Sequence, residues 1–202
     1  MNMQETHNCE GTEERVRFHK PERLIDKIIR DPLHCITDAF LILPLNEVCH
    51  EINQWLQIAL INDNSAYEES EAREDLMDFC AEMQLLAEAL HVINEKNKSK
   101  DIDEWKNKLP NKLRKKLDQL DQPELLSPEQ TANPMLAIND FCNSFELSYA
   151  RAELWDLLDA VIGYEGEKEV YKINLLLAYQ CISCLVEAAH ILNNNNSNNT
   201  ID

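Results

Sequence analysis

Two short stretches of the chain place a glutamate three residues before a histidine, and each continues with apolar residues and an asparagine. They read EALHVIN at residues 88–94 and EAAHILN at residues 187–193. Residues three apart lie on the same side of a helix, so the carboxylate and imidazole of each pair could bind one metal ion together. The candidate metal ligands are therefore Glu88, His91, Glu187 and His190.

A Glu-x-x-His on each of two helices resembles the ligand pattern of ferritin-like di-iron and di-manganese proteins, in which two further helices each add a glutamate. The resemblance implies a carboxylate-bridged iron or manganese site inside a four-helix bundle. The candidates for additional oxygen ligands are Glu51, Glu153, Asp38 and Asp140. This metal protein is the alternative to a purely structural interpretation of both motifs.

The direction in which the motif side chains leave the helix favours the structural interpretation. At 100° per residue, the apolar stripe of the first helix centres on Met83, whereas His91 lies about 80° and Glu88 about 140° away from that line. The second motif has about the same angles relative to Ile182. We therefore expect both pairs on helix flanks and not in the middle of a bundle.

The positions of Glu51 and Glu153 also favour the structural interpretation of the two motifs. Glu51 precedes Trp55 by four residues, whereas Glu153 precedes Trp155 by only two, so the two glutamates cannot occupy equivalent faces. Both motifs also come just before polar stretches, which predicts that each histidine lies in the last turn of its helix. There it would interact with free carbonyl groups and with the negative end of the helix dipole.

The motifs belong to a longer internal similarity. Pro32, Ile36 and Asp38 recur as Pro134, Ile138 and Asp140 at an offset of 102 residues, Trp55 recurs as Trp155 at 100, and the Glu-x-x-His recurs at 99. We therefore predict an all-α bundle built from two related helical-hairpin repeats around an approximate two-fold axis. Both tryptophans fall on apolar helix stripes and are expected in the core.

Composition divides the chain into five parts. They are a disordered segment 1–20, a first repeat 21–94, a basic amphipathic linker 95–133, a second repeat 134–193 and a disordered Asn-rich tail 194–202. Low hydrophobicity is what predicts disorder at the two ends. Within the first repeat, residues 21–31 are expected to form a short amphipathic helix.

The linker is the basic part of the chain. Residues 94–116 carry nine Lys or Arg against four acidic residues, and leucines recur at helical spacing. A basic amphipathic helix at residues 105–120 could contact an anionic membrane or dock in a partner's groove. The interpretation we favour is that its leucines cover one side of the bundle while its lysines face the acidic halves.

The overall charge of −18 argues against nucleic acid as a partner, because a phosphate backbone would be repelled. Three glycines leave no Rossmann fingerprint or P-loop. Neither a signal peptide nor an apolar run of membrane-spanning length is apparent, so a cytoplasmic location is expected. Of the seven cysteines, the pair in CISC at 181–184 lies inside an apolar helix and is expected in the core.

No nucleophile motif accompanies these features, and Asp38 and Asp140 are interpreted as helix N-caps. We therefore expect a non-enzymatic interaction or scaffold module. It would bind another protein, or its own copy, through acidic and apolar helix faces. The iron or manganese protein remains the alternative.

Overall fold

The structure, a computed structural model, describes residues 30–97, 110–113, 115, 122–166 and 172–198. All regular structure within these ranges is helical, with no strand among them, so the all-α prediction is confirmed. The helices are α1 (Pro32–Ile42), α2 (Leu45–Ile61), α3 (Ser70–Asn97), α4 (Pro128–Ala132), α5 (Met135–Ser144), α6 (Leu147–Ile162) and α7 (Lys172–Asn198).

The first helix begins where a local side chain satisfies a free backbone donor. Asp31 is the N-cap of α1, and its carboxylate accepts the backbone N–H of His34 at 3.0 Å. The predicted caps were wrong, because Asp38 and Asp140 lie inside α1 and α5. Asp38 instead pairs with His34 one turn earlier, at 3.4 Å.

The short helix of each half packs mainly on the long helix of the other half. In each half the middle helix pairs with the long helix that follows it, α2 with α3 and α6 with α7. The short helix α1 packs mainly on α7, and the short helix α5 packs mainly on α3. Helices α2 and α6 meet near their C-terminal ends, where the side-chain amide of Asn62 donates to the carbonyl of Ala160 at 2.7 Å.

Most of the predicted apolar stripes form the core. Trp55 is 1% exposed, and its indole N–H donates to Glu51 at 3.0 Å. The stripe residues buried on α2, α3 and α7 include Val48, Ile52, Ala59, Leu76, Cys80, Met83, Leu86, Ala87, Leu90, Leu175, Ile182, Leu185, Val186 and Ala189. Burial of these faces against one another is the main stabilising interaction of the bundle.

Trp155 is not part of this core, so the prediction that it is buried was wrong. The side chain is 58% exposed and meets the ring of Tyr179 edge-on, with 6.3 Å between ring centroids. The buried stripe of α6 runs through Leu154, Leu158 and Val161. Trp155 lies about 100° around the helix from Leu154 and so faces outward.

The two long helices extend further than expected. Helix α3 continues to Asn97 and α7 to Asn198, so His91 and His190 lie before the last turn of their helices. The predicted interaction of both histidines with the helix C-terminus is therefore wrong. Residues 194–198, expected in the disordered tail, are helical.

Helix α7 is also more apolar than expected. Its stretch Leu175–Asn196 is long enough to cross a membrane by length and composition, and an 18-residue part of it has a mean hydropathy of 1.7, although 56% of that part is buried in the fold. A core helix has the same properties. Most of residues 105–120 lies outside the described residues, although Leu113, which is described, is 45% exposed. Residues 21–29 of the helix predicted at 21–31 and the segment 1–20 predicted to be disordered also lie outside them.

Candidate functional site

The carboxylate of Glu88 is buried by the segment 122–127, here called the connector. Its oxygens accept hydrogen bonds from the backbone N–H groups of Glu124, Leu125 and Leu126 at 2.7–3.0 Å. The residue is only 3% exposed although it lies off the apolar stripe of α3. Glu88 is therefore a structural anchor for the connector, because each bond satisfies a backbone donor that would otherwise lack a partner.

Glu187 has a different partner. Both of its oxygens accept hydrogen bonds from the guanidinium of Arg151 on α6, which makes a two-point ion pair. The Arg151 side chain is 51% exposed and that of Glu187 is 13% exposed. The two motif glutamates thus bind different elements, the connector and α6.

The motif histidines make similar contacts in the two halves. His91 meets Phe40 edge-on at 5.2 Å between ring centroids, and His190 meets Phe141 at 6.2 Å. Each phenylalanine comes from the short helix of the same half. Burial lowers the pKa of His190, Glu187 raises it by less, and Arg151 lowers it slightly, so the neutral ring is favoured.

The proposed metal ligands do not form a shared donor set. Glu88 and Glu187 accept hydrogen bonds as described, and Glu51 accepts one from Trp55. Across the part of the chain that the structure describes, no three His, Cys, Asp or Glu side chains are arranged to hold a metal ion. The iron or manganese alternative therefore stays a prediction from sequence, without a donor set in these residues to support it.

Several of the described cysteines are poor candidates for nucleophiles. Burial raises the pKa of the Cys49 thiol to about 11 and the pKa values of Cys80 and Cys184 to about 12. A thiol with such a pKa is almost fully protonated at neutral pH, whereas the thiolate is the reactive form. Cys181 and Cys184 are both 5% exposed, which confirms that the CISC pair lies in the core.

A groove that the sequence analysis did not identify lies between α3 and the junction of α5 with α6. We call it the acidic groove. Its volume is about 570 Å³. The residues that line it are Asp75, Asp78, Ala81 and Glu82 from α3, with Ser144, Phe145 and Tyr149 from the other half of the chain.

Aromatic rings form one wall of the acidic groove. Phe145 and Tyr149 stack at 5.7 Å with only 13° between their planes, and Phe79 meets Phe145 edge-on at 5.1 Å. Phe141 extends the cluster below the groove at 5.2 Å from Phe145. Tyr149 remains 40% exposed, so part of this aromatic surface is open to solvent.

The carboxylates of the groove repel one another. Burial raises the pKa of Glu82, and the neighbouring Asp140 and Asp78 raise it further. No cation is paired with Asp75, Asp78 or Glu82 among the residues that the structure describes. Arg73, on the same helix, donates to the carbonyl of Tyr67 at 3.5 Å. The groove therefore carries negative charge that the described residues do not neutralise.

Part of this site was visible in the sequence. Asp75, Asp78 and Glu82 follow one another at three- and four-residue spacing, which places them on one helix face. Their aromatic neighbours Phe145 and Tyr149 lie about seventy residues further along the chain. Only the packing of α5 on α3 brings the two groups together.

A second, smaller cleft lies between α2, α3 and the connector. Its volume is about 410 Å³, and its lining includes Cys49, Gln84, Glu88, Gln122 and Glu124. Gln84 donates to the backbone carbonyl of Cys49 at 3.4 Å. Glu88 already accepts the connector's N–H groups here, so the cleft is best explained as the space beside that structural contact.

Comparison with protein-family models, with curated proteins and with solved structures gave no significant match to this chain. The geometry of the chain itself is therefore what bears on its function.

Proposed function

We propose that this protein is a non-enzymatic helical interaction module that binds a positively charged segment of another protein in the acidic groove. The observation that carries the proposal is the set of carboxylates at Asp75, Asp78 and Glu82, which pair with no cation among the described residues, beside exposed aromatic surface. Charge complementarity of this kind increases association rates and selects among partners. Aromatic side chains supply much of the contact energy in protein interfaces.

The charge of the chain favours a different protein as the partner over a second copy. At a net charge of −18, two copies repel each other at long range. A basic segment, in contrast, is attracted to the acidic groove and gains contact with Tyr149. The same charge supports the expectation that nucleic acid is not a partner, and a cytoplasmic location stays a prediction from the sequence.

We also propose that the chain is an internal duplication with an approximate two-fold axis. Three features support this: the reciprocal packing of α1 on α7 and α5 on α3, the meeting of α2 and α6, and the histidine–phenylalanine contact in each half. Trp55 and Trp155, which differ in burial, are the anchors that diverge. The acidic groove would then be a specialisation of one half.

Binding of labelled basic peptides to the full-length protein tests the proposed function. Fluorescence anisotropy should show saturable binding of a Lys- and Arg-rich peptide but not of a peptide rich in glutamate. The triple variant Asp75→Asn, Asp78→Asn, Glu82→Gln should weaken binding about tenfold or more, since each exposed pair contributes up to about 1 kcal/mol. Binding should also weaken as salt is added.

A matched variant separates the groove from the overall charge. Glu47→Gln, Asp63→Asn and Glu165→Gln remove the same charge from exposed positions outside the groove lining. This control should bind the peptide with an affinity close to that of the wild type. Equal losses in the two triple variants would show that only net charge matters, and the groove would not be the binding site.

A further inference from the structure

We infer that the acidic groove recognises arginine in preference to lysine, with the guanidinium stacked on the ring of Tyr149 and hydrogen-bonded to the carboxylates of α3. This inference rests on the proposed function and adds the identity of the side chain that is bound. It names Tyr149 as the residue that determines specificity.

The first basis is the position of a partly exposed aromatic ring next to carboxylates that no cation among the described residues neutralises. Tyr149 lines the groove together with Asp75, Asp78 and Glu82 and is 40% exposed. An arginine side chain can stack its planar guanidinium on a ring and direct N–H donors outward in the same plane. A lysine ammonium is a compact, strongly hydrated charge that is attracted to carboxylates without this combined geometry.

The second basis is that the ring is held in place before any partner arrives. Tyr149 stacks on Phe145, and Phe79 meets it edge-on at 6.1 Å. The stacked and edge-on neighbours thus contact the ring from two directions. A ring fixed in this way loses little conformational freedom on binding, so more of the stacking energy appears as affinity.

The protonation state of Tyr149 is also compatible with stacking a guanidinium on its ring. Burial, with the negative charges of Glu153 and Asp75, raises its pKa to about 12. The phenol therefore stays neutral and does not add to the charge that any cation would sense. The contribution of Tyr149 to selectivity then comes from its ring.

The test compares two labelled peptides of equal length and charge, one with four arginines and one with four lysines separated by glycines, on full-length protein. We expect the arginine peptide to bind about fivefold more tightly, the size expected for a cation on an exposed aromatic ring. Tyr149→Leu should bring the ratio of the two affinities close to one. Tyr149→Phe keeps the ring and should preserve the ratio.

The outcomes distinguish the inference from the proposed function. Equal affinities for the two peptides in the wild type would overturn the arginine preference and leave the charge-based function intact, as would an unchanged ratio in Tyr149→Leu. Failure of both peptides to bind would overturn both proposals. The wild-type ratio decides the question even if the leucine variant is poorly folded.

Discussion

The glutamates of the two Glu-x-x-His motifs accept hydrogen bonds from different partners. Glu88 accepts the N–H groups of the connector, whereas Glu187 accepts the guanidinium of Arg151. Arg151 precedes Trp155 by four residues, and the residue four before Trp55 is Glu51, which cannot pair with a carboxylate. The connector therefore supplies to Glu88 the hydrogen-bond donors that Arg151 supplies to Glu187.

The two glutamates should differ in their contribution to stability. Glu88→Gln should lower the free energy of unfolding by about 1–3 kcal/mol, because a buried acceptor of charge-assisted bonds is weakened. Glu187→Gln should cost less than about 1 kcal/mol, since its partner is half exposed. Urea unfolding measures both changes, and amide hydrogen exchange should accelerate at residues 124–126 in the first variant only. Equal costs would contradict the anchoring role of Glu88.

The pKa of Glu82 predicts a pH-dependent effect on stability. Its folded-state pKa is raised above the ordinary value of 4.5 by burial and by Asp140 and Asp78. The protonated form thus favours folding, so the contribution of Glu82 to stability is full below pH 4.5 and is lost as the pH rises through the folded-state pKa. Glu82→Gln, which is always neutral, should stabilise the protein at pH 7 by a few tenths of a kcal/mol. The gain should shrink toward pH 4.5.

Thermal unfolding of Glu82→Gln at several pH values measures this effect. Glu47→Gln is the matched control, because Glu47 lies in the first turn of α2, where a negative charge is favourable. That variant should be slightly destabilised at pH 7. A loss of stability in Glu82→Gln at pH 7 would contradict the repulsion inferred among the groove carboxylates.

At the scale of helices, α2 and α6 each carry a tryptophan but bury different faces. The indole of Trp55 lies in the core, and that of Trp155 lies on the surface against Tyr179. Trp55→Ala should cost about 3–5 kcal/mol of unfolding free energy, as for other large core side chains. Trp155→Ala should cost less than about 1 kcal/mol. Denaturant unfolding of the two variants checks the contrast, and equal costs would contradict these placements.

The helices themselves could be predicted from the sequence, whereas their partners could not. The apolar stripes of α2 and α3 have a clear 3.6-residue period, and nearly all of their members are buried. Periodicity gives the direction of a face only to within about one residue, which is why Trp155 was misplaced by about 100°. The burial of Glu88 depends on the connector, and the groove depends on the packing of α5 on α3. Neither contact produces a periodic pattern in the amino-acid sequence.

At the scale of the whole molecule, the excess of negative charge is not spread evenly over the described fold. At Asp75, Asp78 and Glu82 the α3 face has carboxylates that pair with no described cation, next to an aromatic wall. The Arg151–Glu187 pair, in contrast, neutralises part of the α6–α7 face. Long-range attraction would bring a basic partner to the molecule, and the acidic groove would determine where it binds. Binding at one defined groove is the central claim of this account.

Chemical-shift mapping tests that claim most directly. Amide spectra of the isotope-labelled full-length protein would be recorded during titration with an unlabelled arginine-rich peptide. We expect saturable shift changes concentrated at residues 75–82 and 144–149, with little change along the connector or around Trp155. Changes spread evenly over the acidic surface, or concentrated away from these two ranges, would contradict it.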